Sequence, residues 1–134
     1  MVYYLMEMVR RIAASSITHV LFAFVAMGSW AVFANRDHSA LRAGLAGVVQ
    51  GGLSACLTLF LKKAVEFLAG KFDGSAAFWA PPLIACIAST TILMLIHALS
   101  GTPEILRTIA VPLAVSTSYA TAYSYSLTRR RRRQ

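Results

Sequence analysis

The chain has 134 residues, of which 57% are hydrophobic and only 13% are charged. This length allows one domain, and the apolar residues come in long blocks rather than in the amphipathic pattern of a soluble protein. The formal net charge is +8, but five of the thirteen basic residues are the arginines 129–133, so the excess belongs mainly to the tail. We therefore expect a membrane protein whose tail contacts anionic lipid, and we expect no nucleic-acid partner.

Four apolar stretches are long enough to cross the roughly 30 Å of hydrocarbon as helices, which takes about 20 residues. They cover residues 15–34, 41–61, 76–99 and 103–127, and a basic tail follows at 128–134. Residues 1–14 are loosely amphipathic and predict an interfacial helix or an extension of the first span. The charged residues between 62 and 73 predict a loop. The predicted fold is all-α, a four-transmembrane-helix bundle in one domain.

Small residues recur at every fourth position in two of the spans. The second span carries Ala43, Gly47, Gly51 and Ala55, and the fourth carries Ser116, Ala120 and Ser124. In lipid, such stripes let another helix approach backbone to backbone, so we predict them to be helix-packing faces or homodimer contacts. Gln50 lies at mid-depth, where its amide is expected to face protein rather than lipid.

Prolines mark the beginnings of the third and fourth spans. Pro81 and Pro82 either start the third helix or kink it, because each lacks a backbone donor. Thr102 followed by Pro103 predicts an N-cap and a first helical residue for the fourth span.

Basic residues predict the orientation of the four spans. Ten of the thirteen fall on the side that holds both termini, and three fall on the other. The ten are Arg10, Arg11, Lys62, Lys63, Lys71 and residues 129–133. Cytoplasmic loops carry the excess of lysine and arginine, so both termini are predicted to be cytoplasmic.

Ionisable residues that this rule does not explain gather on the opposite side, and the candidate substrate-binding set is drawn from them. It consists of Arg36, Arg42, His97, Glu104 and Arg107. Charge is costly near hydrocarbon, so Arg107 needs a partner or a wet cavity. Two alternatives stay open: Glu104, three residues earlier, pairs with Arg107, or Arg107 and the helix start hold a phosphate or carboxylate.

No motif for catalysis or for a bound group is recognisable. The spans carry no carboxylate in their cores, which disfavours proton-coupled antiport. There is no nucleophile motif, no phosphate-binding glycine loop and no metal-ligand spacing, and Cys56 and Cys86 lie within apolar blocks. We expect neither an enzyme nor a protein with a cofactor or a bound metal.

Each half of the chain ends with an aromatic residue shortly before basic residues, Phe60 in the first half and Tyr125 in the second. Arg11 precedes the first span, and residues 59–63 with Phe67 approximate an Asn-Phe-x-x-Asn-Arg pattern without its asparagines. In these features the chain resembles the GtrA-like family of small four-span bacterial proteins. The resemblance implies the bacterial inner membrane and a role in moving polyprenyl-phosphate-linked sugars, or in assisting the enzymes that use them.

These observations predict a protein that binds or translocates a lipid-linked anionic substrate. Arg107, Arg42 and Arg36 would contact its phosphate, and His97 and Glu104 would shape the mouth of the site. The alternative is a non-catalytic accessory or assembly subunit, docked to a larger membrane complex by its glycine stripe.

Overall fold

The protein is described here by a computed structural model that covers residues 1–14 and 16–134, with side chains for all of these except 12–14 and 16. Within these ranges the chain is helical and has no strand, which confirms the all-α prediction. The helices are α1 (Val2–Ala14), α2 (Ser16–Ala34), α3 (Ala40–Ala69), α4 (Ala76–Leu99) and α5 (Ile105–Arg132).

Three helices in the described part of the chain are long and apolar enough to cross a membrane. They are α2 from Ile17 onward, α3 and α4. The fourth predicted span corresponds to α5, which is 28 residues long but carries serine, threonine and tyrosine side chains over much of its second half. This composition makes α5 less apolar than the other three helices.

Two element boundaries differ from the prediction at the same end of the molecule. Helix α3 continues to Ala69, so Lys62, Lys63 and Glu66 lie on a helix rather than in a loop. Residues 62–69 contain no glycine or proline, and Val65 and Ala69 are buried. Burial of these side chains stabilises the helix as far as Ala69, and Gly70 is its C-cap. Helix α5 likewise continues to Arg132, and most of the predicted basic tail is helical.

Helices α2 to α5 run alternately up and down. Helices α3 and α5 contact each other and both of the others, whereas α2 and α4 do not meet within the described residues. The end that holds residues 35–39 and 100–104 is called the histidine end, after His38 and His97. The opposite end, with residues 70–75 and 129–134, is called the arginine end.

Helices α2 and α3 approach each other backbone to backbone through the glycine stripe. A Cβ at Gly51 would lie 2.9 Å from the Phe24 carbonyl oxygen, and one at Gly47 would lie 3.1 Å from the Gly28 carbonyl oxygen. Ala43 is buried as well, and Ala55 is half-buried. The stripe therefore packs against α2 of the same chain, whereas Gly44 and Gly52 have open space around them.

The second small face packs inside the bundle too. Ala120 is buried in a cluster with Leu61, Val65 and Ala85, which belong to α3 and α4. Ser124 is buried and Ser116 is half-buried along the same face of α5. Beside this cluster the Tyr123 hydroxyl donates a hydrogen bond to Glu66, which joins the last turn of α3 to α5.

Hydroxyl groups of α5 compensate for a proline in α4. Because Pro81 has no N–H, the carbonyl of Ala77 one turn earlier lacks its helical donor. Ser124 and Thr128 donate to this oxygen at 3.2 and 3.1 Å. Helix α4 starts at Ala76, so Pro81 and Pro82 lie within it rather than at its first position.

Candidate functional site

A chain of buried hydrogen bonds runs inward from the histidine end. His97 lies between Thr102 and Gln50, with Nδ1 2.7 Å from the Thr102 hydroxyl and Nε2 2.8 Å from Gln50 Oε1. Gln50 Nε2 donates onward to the Ser54 hydroxyl at 2.9 Å. Because Gln50 Oε1 only accepts, His97 donates to it from Nε2. In the neutral imidazole, Nδ1 then accepts the Thr102 hydroxyl proton.

Gln50 faces protein, as predicted, and neither its side chain nor that of His97 is exposed to solvent. Every buried side-chain nitrogen and oxygen of the described residues has a hydrogen-bond partner. His97 was predicted to shape the mouth of a site, and in this structure its imidazole is enclosed within the bundle. The network joins α3, α4 and the turn before α5.

Asn35, at the end of α2, caps the N-terminus of α5. Its Oδ1 accepts from the Glu104 backbone N–H at 3.0 Å, and its Nδ2 donates to the Thr108 hydroxyl and the Ala31 carbonyl, both at 2.8 Å. The predicted N-cap, Thr102, is wrong: its hydroxyl is bound to His97, and α5 begins at Ile105. Asn35 is fully buried, although in sequence it looks like the first residue of a polar loop.

The Glu104 carboxylate is hydrogen-bonded to His38 in the α2–α3 loop and not to a residue of its own helix, and this contact is an ion pair only when His38 is protonated. Glu104 Oε1 lies 3.1 Å from His38 Nε2. The other ion pair among the described residues joins Lys62 and Glu66. No carboxylate of the described residues lies within ion-pair distance of Arg107, so the Glu104–Arg107 pair that was one of the two alternatives is not formed in this structure.

Two aromatic rings and the Arg36 side chain lie together at the end of α2, where α2 contacts the backbone of α5 at Arg107. Trp30 Nε1 donates to the Arg107 carbonyl at 2.9 Å, and its ring lies 5.8 Å from that of Phe33. The Arg36 guanidinium lies 4.1 Å from the Phe33 ring centre and donates to the Phe33 carbonyl. We call Trp30, Phe33, Arg36 and Arg107 the α2/α5 corner.

The corner brings together only part of the predicted binding set. Arg36 belongs to it with its side chain, Arg107 joins it through its backbone carbonyl, and the Glu104 backbone N–H is bound by the neighbouring Asn35. Arg42 is exposed in the first turn of α3, where its backbone N–H is bound by Ser39, and no hydrogen bond or ion pair of the described residues links it to the corner. Trp30 and Phe33 were missed in sequence because an aromatic residue at the end of an apolar span is typical of any membrane helix.

The Asn35 cap predicts a moderate loss of stability on truncation. Asn35→Ala leaves the Glu104 N–H and the Thr108 hydroxyl without this partner, and loss of a helix N-cap costs about 1 kcal/mol. We expect a lower midpoint of thermal unfolding in detergent, with the helix content at low temperature unchanged. Ser39→Ala, which removes the cap of α3, is the matched comparison. An unchanged midpoint for Asn35→Ala would contradict the cap.

The fold and these contacts define a small helical protein with the make-up of a membrane protein, with three apolar helices, a closed polar network and exposed arginines at both ends. Among the described residues, no three histidine, cysteine or acidic side chains lie close enough to hold a metal ion. No protein-family model, no curated protein and no solved structure matches the chain. The resemblance to the GtrA-like family stays a prediction.

Proposed function

We propose that the protein crosses the bacterial inner membrane four times, with both termini in the cytoplasm, and binds a lipid-linked anionic substrate at the α2/α5 corner. The fourth span is supported by the position of α5. It contacts α2 at Trp30 near its start and α4 at Ala77 near its end. A helix packed along the full length of an apolar neighbour shares the environment of that neighbour.

The hydroxyl groups of α5 do not prevent it from spanning a membrane. Ser118 and Thr121, both exposed, donate to carbonyls one turn earlier in α5 at 2.7 and 2.8 Å. Thr108, Ser124 and Thr128 are buried against other helices. Because backbone and side-chain donors must be satisfied internally in hydrocarbon, a helix arranged in this way is compatible with lipid.

The orientation rests on the distribution of exposed basic residues. Lys62, Lys63, Lys71 and residues 129–133 are exposed at the arginine end, and Arg10 and Arg11 precede the start of α2 at that same end. An excess of lysine and arginine is typical of the cytoplasmic side. The α2/α5 corner then lies at the opposite membrane surface.

The observation that carries the proposed site is the pairing of Glu104 with His38. Arg107 is exposed and has no carboxylate partner among the described residues, and its backbone carbonyl is bound by Trp30, which packs beside Phe33 and Arg36. Guanidinium groups bind phosphate through paired N–H donors, and Trp suits the headgroup depth of a bilayer. A polyprenyl-phosphate-linked sugar has the charge and the apolar tail that this arrangement fits.

Binding of polyprenyl phosphate to the purified protein tests this proposal. We expect Arg107→Gln to weaken binding about tenfold, which corresponds to about 1.4 kcal/mol. Lys63→Gln, an exposed charge at the arginine end, should bind as the parent does. Uncharged polyprenol should bind weakly to every variant. Equal affinity of Arg107→Gln and the parent for polyprenyl phosphate would refute the site.

A second candidate is an accessory or assembly subunit of a larger membrane complex. It is favoured by the closed interior, since the buried polar groups of the described residues all have partners and none is left for a passing substrate. Gly47 and Gly51 would not supply its docking surface, because α2 covers them. Translocation of a labelled lipid-linked sugar in proteoliposomes separates the two: binding without translocation favours the accessory role.

A further inference from the structure

An apolar groove of about 360 Å³ lies between α4 and α5. Phe78, Trp79, Pro82, Leu83 and Cys86 line it from α4, and Thr117 and Thr121 line it from α5. The residues from α4 span nine positions, so the groove follows the helix for about 12 Å. The Thr121 hydroxyl donates a hydrogen bond to a carbonyl of its own helix, and the lining is therefore mostly apolar.

The groove begins at the arginine end, next to Arg132, whose side chain makes two contacts with neighbouring residues. The Arg132 guanidinium lies 4.6 Å from the centre of the Phe78 ring, and its Nη2 donates to the Gly74 carbonyl at 2.7 Å. No carboxylate of the described residues pairs with Arg132. A guanidinium has five N–H donors, so most of them stay available to a ligand.

We propose that this groove binds one acyl chain of an acidic phospholipid whose phosphate contacts Arg132. The occupant follows from charge complementarity. The apolar groove opens beside the unpaired guanidinium of Arg132 and four further exposed arginines, so it suits an acyl chain that is attached to an anion. A zwitterionic lipid fills the groove equally well but gains less from the arginines. This site is at the opposite end from the α2/α5 corner and does not depend on the function proposed there.

The two tryptophans allow a direct test, because Trp79 lines the groove and Trp30 lies at the histidine end. Trp30→Phe makes Trp79 the single reporter. The protein is reconstituted in phosphatidylcholine vesicles with a small, constant fraction of brominated lipid, which quenches a tryptophan that it touches. We expect brominated phosphatidylglycerol to quench Trp79 several-fold more strongly than brominated phosphatidylcholine.

Arg132→Gln should remove this preference, and Arg133→Gln, which has the same charge change one residue further on, should keep most of it. Equal quenching by the two brominated lipids in the parent would overturn the site. Equal loss of preference in the two arginine variants would also overturn it, because it would indicate diffuse attraction to the tail. Relief of quenching by excess inorganic phosphate alone would indicate a site for a free anion and not for a lipid.

Discussion

Replacing Gly51 with leucine is expected to prevent recovery of the folded protein, whereas the same change at Gly52 is expected to be tolerated. A Cβ at Gly51 would lie 2.9 Å from the Phe24 carbonyl oxygen, which is backbone and cannot move aside without shifting α2. Around Gly52 there is no atom within 4 Å of the added carbon. Overpacking a tight contact costs about 1–3 kcal/mol, and leucine adds further atoms to the clash.

The measurement is the yield of monodisperse protein after detergent extraction, followed by the midpoint of thermal unfolding where enough is recovered. Adjacent positions in one helix provide a matched pair with the same change in volume and hydrophobicity. If both variants are recovered with the midpoint of the parent, α2 and α3 do not touch at Gly51. If Gly52→Leu alone fails, the exposed side of α3 is the packed one.

Disrupting the hydrogen bond between Gln50 and His97 is expected to cause the second-largest loss of stability. Gln50→Leu leaves the His97 Nε2–H without an acceptor, and His97→Phe leaves Gln50 Oε1 without its donor. An orphaned buried polar group costs about 1–3 kcal/mol. The double variant removes both partners, so its loss should be smaller than the sum of the single losses by about 1–2 kcal/mol.

Reversible unfolding of the four proteins in detergent gives this coupling energy. Thr91→Val on α4 is the control, because the Thr91 hydroxyl is exposed and binds only a carbonyl of its own helix. That change should alter the free energy of unfolding by less than about 0.5 kcal/mol. Strict additivity of the two single losses would mean that Gln50 and His97 do not interact in the folded state.

Sequence reasoning was most successful where the determining signal is local. An apolar run that is long enough to span a bilayer is visible within a single window, and α2, α3 and α4 were located in this way. The spacing of Gly47 and Gly51 is equally local, so close approach of another helix at that stripe could be predicted. The identity of the approaching helix, which is α2 with Gly28, could not be predicted, because any helix with a face of small residues can pack against the stripe.

Helix ends were predicted less well, since contacts between distant residues set them. Helix α3 continues past its apolar run because Val65 packs against Ala85 and Ala120 of other helices, and Ala69 is buried as well. The start of α5 is set by Asn35, which comes from a position 69 residues away along the chain. Neither contact leaves a periodic or compositional mark near the boundary that it determines.

Composition and periodicity by themselves determined that this chain is helical, rich enough in apolar residues for a membrane, and strongly basic at one end. These are properties of each segment taken alone, since the transfer of side chains to hydrocarbon depends on local hydrophobicity. Only the tertiary structure decided which polar side chains bind each other. Glu104 is paired with His38 and not with Arg107, and His97 is hydrogen-bonded to Gln50. The hydrogen-bond partner of a polar side chain is the one that helix packing brings within reach. That packing depends on all of the helices together.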